Sequence, residues 1–234
     1  MGIGEIFLLV MSHWPKFVSG MGYTLALTGF SLLLGLVIAV PCALILSFKV
    51  PYAQRAVMAY LYIFRGSPLL VQLFLIYYGV AQFDFIRNGP LWLFFREPFW
   101  CALLAFGLNT GAYTAHLLKG AIDATPIGEI EAARACGMKR FLQIRRIILP
   151  SSIRRAYPAY VNEIIFTLHG SALASTVQIM DLLGAGRWLN QRFYLNFEGF
   201  LVSGMLYASL TIIIIVCLRK IEHRLHRHLS PARS

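Results

Sequence analysis

YTLALTGFSLLLGLVIAVPCALILSF, from Tyr23 to Phe48, runs for 26 residues without one charged side chain. A helix rises about 1.5 Å per residue, so this stretch is long enough to cross a hydrocarbon core of about 30 Å. Lipid offers no partner for backbone N–H and C=O groups, and a helix satisfies them internally. Four further apolar segments follow: Ala56–Gln82, Phe99–Leu118, Tyr157–Met180 and Gly199–Leu218. The second is interrupted by Arg65-Gly66-Ser67-Pro68, and the fourth contains Glu163 and His169. The predicted fold is all-α: one polytopic membrane domain over residues 1–234, with about five transmembrane helices. Hydrophobic residues make up 58% of the chain and charged ones 13%, and mean hydropathy is +0.67. A soluble domain would be about a quarter charged, so a water-soluble single core is excluded.

The basic residues orient the spans. Sixteen lysines and arginines fall in the segments 49–65, 119–155 and 219–234; five fall on the other side, at Lys16, Arg87, Arg96, Arg187 and Arg192. The positive-inside bias then puts the amino terminus outside and the carboxyl terminus in the cytoplasm. The net charge of +11 follows from this flanking pattern and needs no nucleic acid. The first sixteen residues, MGIGEIFLLVMSHWPK, begin without a positive side chain and carry Glu5. They read as an uncleaved outer-face amphipathic helix with Ile3, Phe7 and Val10 or Met11 leaning on the bilayer. Cys42, Cys101, Cys136 and Cys217 are singletons, so neither a disulfide framework nor a metal site is expected. The tail from Arg219 reads as a basic segment near anionic lipid headgroups.

The longest cytoplasmic segment, residues 120–150, contains two short helices. Thr125 reads as an N-cap with Pro126 in the first helical position, and Glu129 and Glu131 suit the positive end of the helix. Gly137 is placed to end it in a left-handed conformation. Ala132, Ala133, Ala135 and Cys136 keep this helix slim, so a neighbour can approach closely. Lys139 to Leu149 forms a second amphipathic piece, which Pro150 is expected to end before the next span.

Glu131-Ala132-Ala133, Gly137, and Ile147-x-Leu149-Pro150 match the spacing EAA-x3-G-x9-I-x-LP at every position. The segment resembles the EAA signature of permease subunits in ATP-binding-cassette importers. The chain is also similar to the polar amino-acid branch of that family along nearly its whole length. Arg65-Gly66-Ser67-Pro68-Leu69-Leu70-Val71-Gln72, Asn109-Thr110-x-Ala112-Tyr113 and Gly120-Ala121-Ile122 carry that likeness, which is strongest to the M-type subunits for basic amino acids and opines. The resemblance implies a coupling helix that docks on a cytoplasmic ATPase. It also implies a second, homologous permease subunit, more in keeping with a heterodimer than a homodimer, together with two ATPase subunits and a periplasmic solute-binding protein. The chain has no GxxxxGK[ST] phosphate loop, so ATP and Mg belong to the ATPase and this chain binds no cofactor.

A transport path needs polar groups that lipid would reject. Glu163 is the first candidate, since an ionisable residue inside a span is costly and faces a cavity or partner. Its alternative is a structural acid. Asn109 and Gln72 offer groups for a carboxylate or amine, or tie helices together. Tyr113, with Tyr77 and Tyr78, offers an aromatic contact or plain packing. Arg65 and Pro68 mark a scaffold or gate at a helix break, and Gly107-x3-Gly111 permits close helix approach. Two departures from the family pattern bear on substrate. His116 stands where many relatives carry Glu, and His169-Gly170-Ser171 stands where they carry Lys-Asp-[ST]. Losing a cation near Glu163 favours a cationic substrate. His169 and Ser171 join the pathway candidates. Two other classes stay open: an ion-gradient-driven secondary transporter, against which the EAA spacing counts, and an intramembrane enzyme, for which no HExxH, GxSxG or aspartate pair is present.

Overall fold

The computed structural model describes residues 3–226. Among these residues every element is helical. The main ones are α1 (Ile3–Ser12), α2 (Trp14–Ser47), α3 (Ala53–Gly66), α4 (Leu69–Phe74), α5 (Pro98–Asp123), α6 (Ile127–Ala135), α7 (Leu149–Gly170), α8 (Leu182–Phe193) and α9 (Glu198–His226). Trp14–Ser47 and Glu198–Glu222 are long and apolar enough to cross a membrane singly. Ala53–Gly66 with Leu69–Gln82 qualifies only as a pair, bent by 106° at Ser67-Pro68. The expected second span, Ala56–Gln82, is thus not one straight helix.

The centre of the bundle is α2 against α5. The inward seam of α2 is built from small residues, Gly20, Thr24, Thr28, Ser31, Gly35, Ala39 and Ala43, at helical spacing. Its opposite face shows Leu25, Phe30, Leu33 and Val37 outward, as lipid requires. At the crossing a Cβ on Gly35 would lie 3.1 Å from the Gly111 backbone nitrogen, and one on Gly107 would press on the Leu34 side chain. Gly107-x3-Gly111 therefore permits the close approach expected of it, and the partner is α2 of the same chain.

Several boundaries differ from the sequence expectation. Pro150 does not end the second cytoplasmic piece. It sits in the first turn of α7, and the chain runs helically from Arg140 to Gly170 through a widened turn at Ile144–Ile148. Proline has no N–H to give the preceding turn, so that turn widens instead of breaking. α7 therefore starts eight residues before Tyr157, and it passes into a tighter helical run, Ser171–Val177, that stops where Gln178 takes φ 67°. Thr125 is not the N-cap of α6. Pro126 occupies the cap position, no side chain caps the helix, and the Thr125 hydroxyl is bonded elsewhere.

Residues 181–198, expected to be a link between spans, hold α8. Its Leu182, Ala185 and Leu189 are buried, and it packs between α2 and α9. Of the two alternatives at the end of α1, Met11 faces out, while Val10 is buried in a cluster with Phe17, Leu168, Leu182 and Leu189. α1 thus turns one side toward protein. The side chains of Ile3 and Phe7, and those of the basic tail from His223 on, lie outside the described residues.

Candidate functional site

Proline at position 68 removes the N–H that would have bonded the Phe64 carbonyl four residues earlier. Two amides take up that orphaned acceptor. Gln72 Nε2 donates to Phe64 O at 2.8 Å and Asn109 Nδ2 donates to the same oxygen at 3.0 Å. Asn109 Nδ2 also donates to Gln72 Oε1 at 3.0 Å, and Gln72 Nε2 reaches Ser67 O and Oγ. Gln72 is therefore buried as a stitch across the helix break, and Asn109 joins that stitch to α5.

Beside this break lies a cavity of about 590 Å³, walled by the α3 end, α5 and α7. Glu163 of α7 lies in its wall, buried at 9% exposure, with the Thr110 hydroxyl beside its carboxylate. Among the described residues no cation is ion-paired to it. Asn162, Asn109, Tyr113, His116 and Arg65 share the cavity. Arg65 is exposed, its guanidinium lies 5.4 Å from the Tyr113 ring centre, and the Tyr113 hydroxyl donates to the Arg65 carbonyl at 3.4 Å. The cavity thus has an acid on one helix and a cation on another, with amide, hydroxyl and imidazole groups among apolar side chains between them.

A second cavity of about 430 Å³ opens toward the basic end of the bundle. Arg65 and His116 line both cavities, and Lys119, paired to Asp123, lines the second. Arg65 and His116 thus mark where the two chambers adjoin.

The remaining pathway candidates lie elsewhere. His169 Nε2 is 3.0 Å from Thr211 Oγ1 of α9, and Ser171 Oγ donates to Leu168 O at 2.6 Å. Neither lines the cavity; His169 meets α9 at Thr211, and Ser171, just past the end of α7, lies 3.4 Å from the Tyr207 hydroxyl of α9. His116 entered the sequence reading only as a departure from the family pattern, and Asn162 not at all, although adjacency to Glu163 was a usable signal. Asp181 was also missed. It is fully buried, its Oδ1 accepts from Gly184 N at 2.8 Å and its Oδ2 from the Tyr207 hydroxyl at 3.2 Å. Its signal is an Asp directly before a helical run, a cap rather than a ligand.

α6 packs on the bundle by Ile130 and Ala133 and turns its other face outward. Glu129, Glu131 and Ala132 are exposed, as are Ile127 and Phe141 beside them. Ala133 faces the other way and is buried at 3% exposure, so the slim outward face is Glu131-Ala132 with Ala135. Gly137 adopts φ 71° and ends α6 as expected: its N–H reaches Arg134 O at 2.9 Å and that of Met138 reaches Ala133 O at 3.1 Å. Leu149 and Pro150 are half-buried at the base, in the first turn of α7, rather than on the exposed helix.

Residues 31–230 match the family model described as binding-protein-dependent transport system inner membrane component. The chain is 41% identical over 222 residues to the nopaline transport system permease protein NocM of Agrobacterium fabrum, covering 94% of this chain and 92% of that one. It is 40% identical over 215 residues to the histidine/lysine/arginine/ornithine transport system permease protein HisM of Escherichia coli, with coverages of 92% and 90%. A crystal structure of an amino acid ABC transporter with histidines superposes with a TM-score of 0.81 at 30% identity, covering 93% of this chain and 98% of that one.

Proposed function

Because this chain belongs to the family of binding-protein-dependent transport system inner membrane components, we propose that it passes a basic amino acid or an opine-like derivative through the cavity bounded by Glu163. The chain is a permease subunit of an ABC importer of the inner membrane, and ATP hydrolysis lies in separate subunits. The observation that carries the substrate reading is the buried carboxylate of Glu163 in a cavity within apolar helices. Such a group is expensive to keep in a membrane unless a cation visits it. NocM and HisM, named for nopaline and for histidine, lysine, arginine and ornithine, support that class.

The finer assignments belong to the same proposal. Glu163, with Asn109 and Tyr113 beside it, receives the cationic group, while Gln72 holds the Asn109 amide in place. Arg65 gates the junction between the two chambers. Glu131 and Ala132 dock on one of two ATPase subunits, which hold ATP and Mg, and Ala133 and Gly137 set the helix and its turn. Leu149 and Pro150 join that turn to α7. A second, homologous but different permease covers the flank where Arg65, Tyr113 and Asn162 are exposed, because lipid there would meet polar groups. The chain makes about five passes, with the amino terminus periplasmic, facing a solute-binding protein, and the carboxyl terminus cytoplasmic.

The test is reconstitution of the complete transporter in vesicles with Glu163→Gln. Uptake of labelled arginine, lysine, histidine, ornithine, nopaline and octopine is measured with the matching loaded binding proteins. The expected result is a loss of roughly tenfold or more in uptake of the accepted cationic substrate, with subunit assembly intact. Undiminished uptake would assign Glu163 a structural role only.

A further inference from the structure

Arg154 and Arg155 are adjacent, yet their side chains have different surroundings. Arg154 is exposed and adds to the basic charge of its end of the bundle. Arg155 is half-buried, and its guanidinium is bonded on three sides. Nε donates to the Ala121 carbonyl at 3.2 Å, Nη1 to Ser151 Oγ at 2.7 Å, and Nη2 to Thr125 Oγ1 at 2.7 Å and Ser152 Oγ at 3.4 Å. No carboxylate is among these partners. The neutralising influence is instead the carbonyl end of α5, where the helix carries partial negative charge.

The partners have a common meaning in the topology. Ala121 is in the last turns of α5, Thr125 is two residues before α6, and Ser151 and Ser152 open α7. The chain leaves the bundle at Thr125 and returns at Leu149, so one planar side chain closes the base of the whole segment that carries α6. Thr125 and Ser152 are buried there, and Ile122, Ile130, Ile148 and Ala156 pack in one apolar cluster with Ala39, Ala43 and Leu46 of α2.

We infer that Arg155 is the positioning residue that transmits displacement of α6 to α5 and α7 together, so that ATP hydrolysis and cavity rearrangement stay coupled. This rests on the permease reading above. Greasy contacts at the base can slide, whereas several directional, charge-assisted bonds from one rigid guanidinium keep the angle between the helices and the segment. Thr125 has a specific part in this: its hydroxyl is the link from Arg155 to the lead-in of α6, which explains why it does not cap the helix.

The test uses the complete transporter in vesicles, with binding-protein-stimulated ATP hydrolysis and uptake measured in the same sample. The probe is labelled L-arginine or nopaline, whichever the wild type accumulates. Arg155→Gln is expected to lower substrate moved per ATP by about tenfold, and Thr125→Val by about two- to threefold. Thr125→Ser, which keeps the hydroxyl, is expected to retain the wild-type ratio. In the Arg155→Gln background Thr125→Val is expected to add nothing. A merely structural role would lower hydrolysis and uptake in parallel and leave the ratio unmoved, and that result overturns the inference. An equal effect of Thr125→Val with and without Arg155 also overturns it. Should Arg155→Gln fail to assemble, the Thr125 pair decides alone. A wild type that shows no stimulated hydrolysis refutes the permease reading instead, which keeps the two failures distinct.

Discussion

Gly137 is the only glycine among the described residues with positive φ, and a Cβ there would meet nothing within 4 Å. Any penalty for substitution is therefore conformational, not steric. A side chain in this left-handed region costs roughly 1–2 kcal/mol, and a β-branched one is at the high end. Gly137→Val is expected to tilt the piece after α6 and reduce uptake by up to about tenfold while the subunit still assembles, since about 1.4 kcal/mol is a factor of ten. Uptake per assembled complex checks this; wild-type uptake would mean the turn tolerates the strain or is not coupled to transport. At this scale Gly137 was legible because it obeys a local rule, a glycine past a helix end, and Glu163 because it breaks one, an acid within an apolar run. Gln72 was not. Its sequence context is equally that of a ligand, and only the carbonyl orphaned by Pro68 shows what occupies its amide.

Among elements, the contact of α8 with α9 is the one the sequence concealed. α8 mixes Gly184, Gly186, Arg187, Asn190 and Arg192 with its apolar residues, so no hydropathy window distinguishes it from a loop. Its burial depends on a glycine contact: a Cβ on Gly186 would overlap Ser203 Oγ and the Gly199 carbonyl, and the Gly199 N–H donates to Asn190 Oδ1 at 2.7 Å. Gly186→Leu is expected to force the two helices apart and destabilise the subunit by about 1–3 kcal/mol. A lowered thermal midpoint in detergent checks this, and Gly204→Leu, where a Cβ meets nothing within 4 Å, is the matched control. The break between α3 and α4 was legible in Gly66-Ser67-Pro68, but not its angle of 106° or the bonds from Gln72 and Asn109 that span it.

For the whole molecule, the free cysteines report on sidedness. Cys136 is exposed at the end of α6, while Cys101 is buried and Cys42 half-buried in the bundle. With Cys217, also exposed, replaced by Ser, a membrane-impermeant maleimide is expected to label Cys136 in inside-out vesicles and not in right-side-out ones. Labelling only in right-side-out vesicles would reverse the orientation. An all-helical membrane protein with a basic protruding segment followed from sequence alone, because lipid punishes exposed backbone and misplaced charge residue by residue, and those penalties are written in composition and spacing. Which polar groups share the cavity with Glu163, why His169 does not, and how one guanidinium closes the base of α6 were decided by tertiary packing. Those relations join residues dozens of positions apart, and a hydrogen bond depends on distance and direction in space that no local pattern encodes.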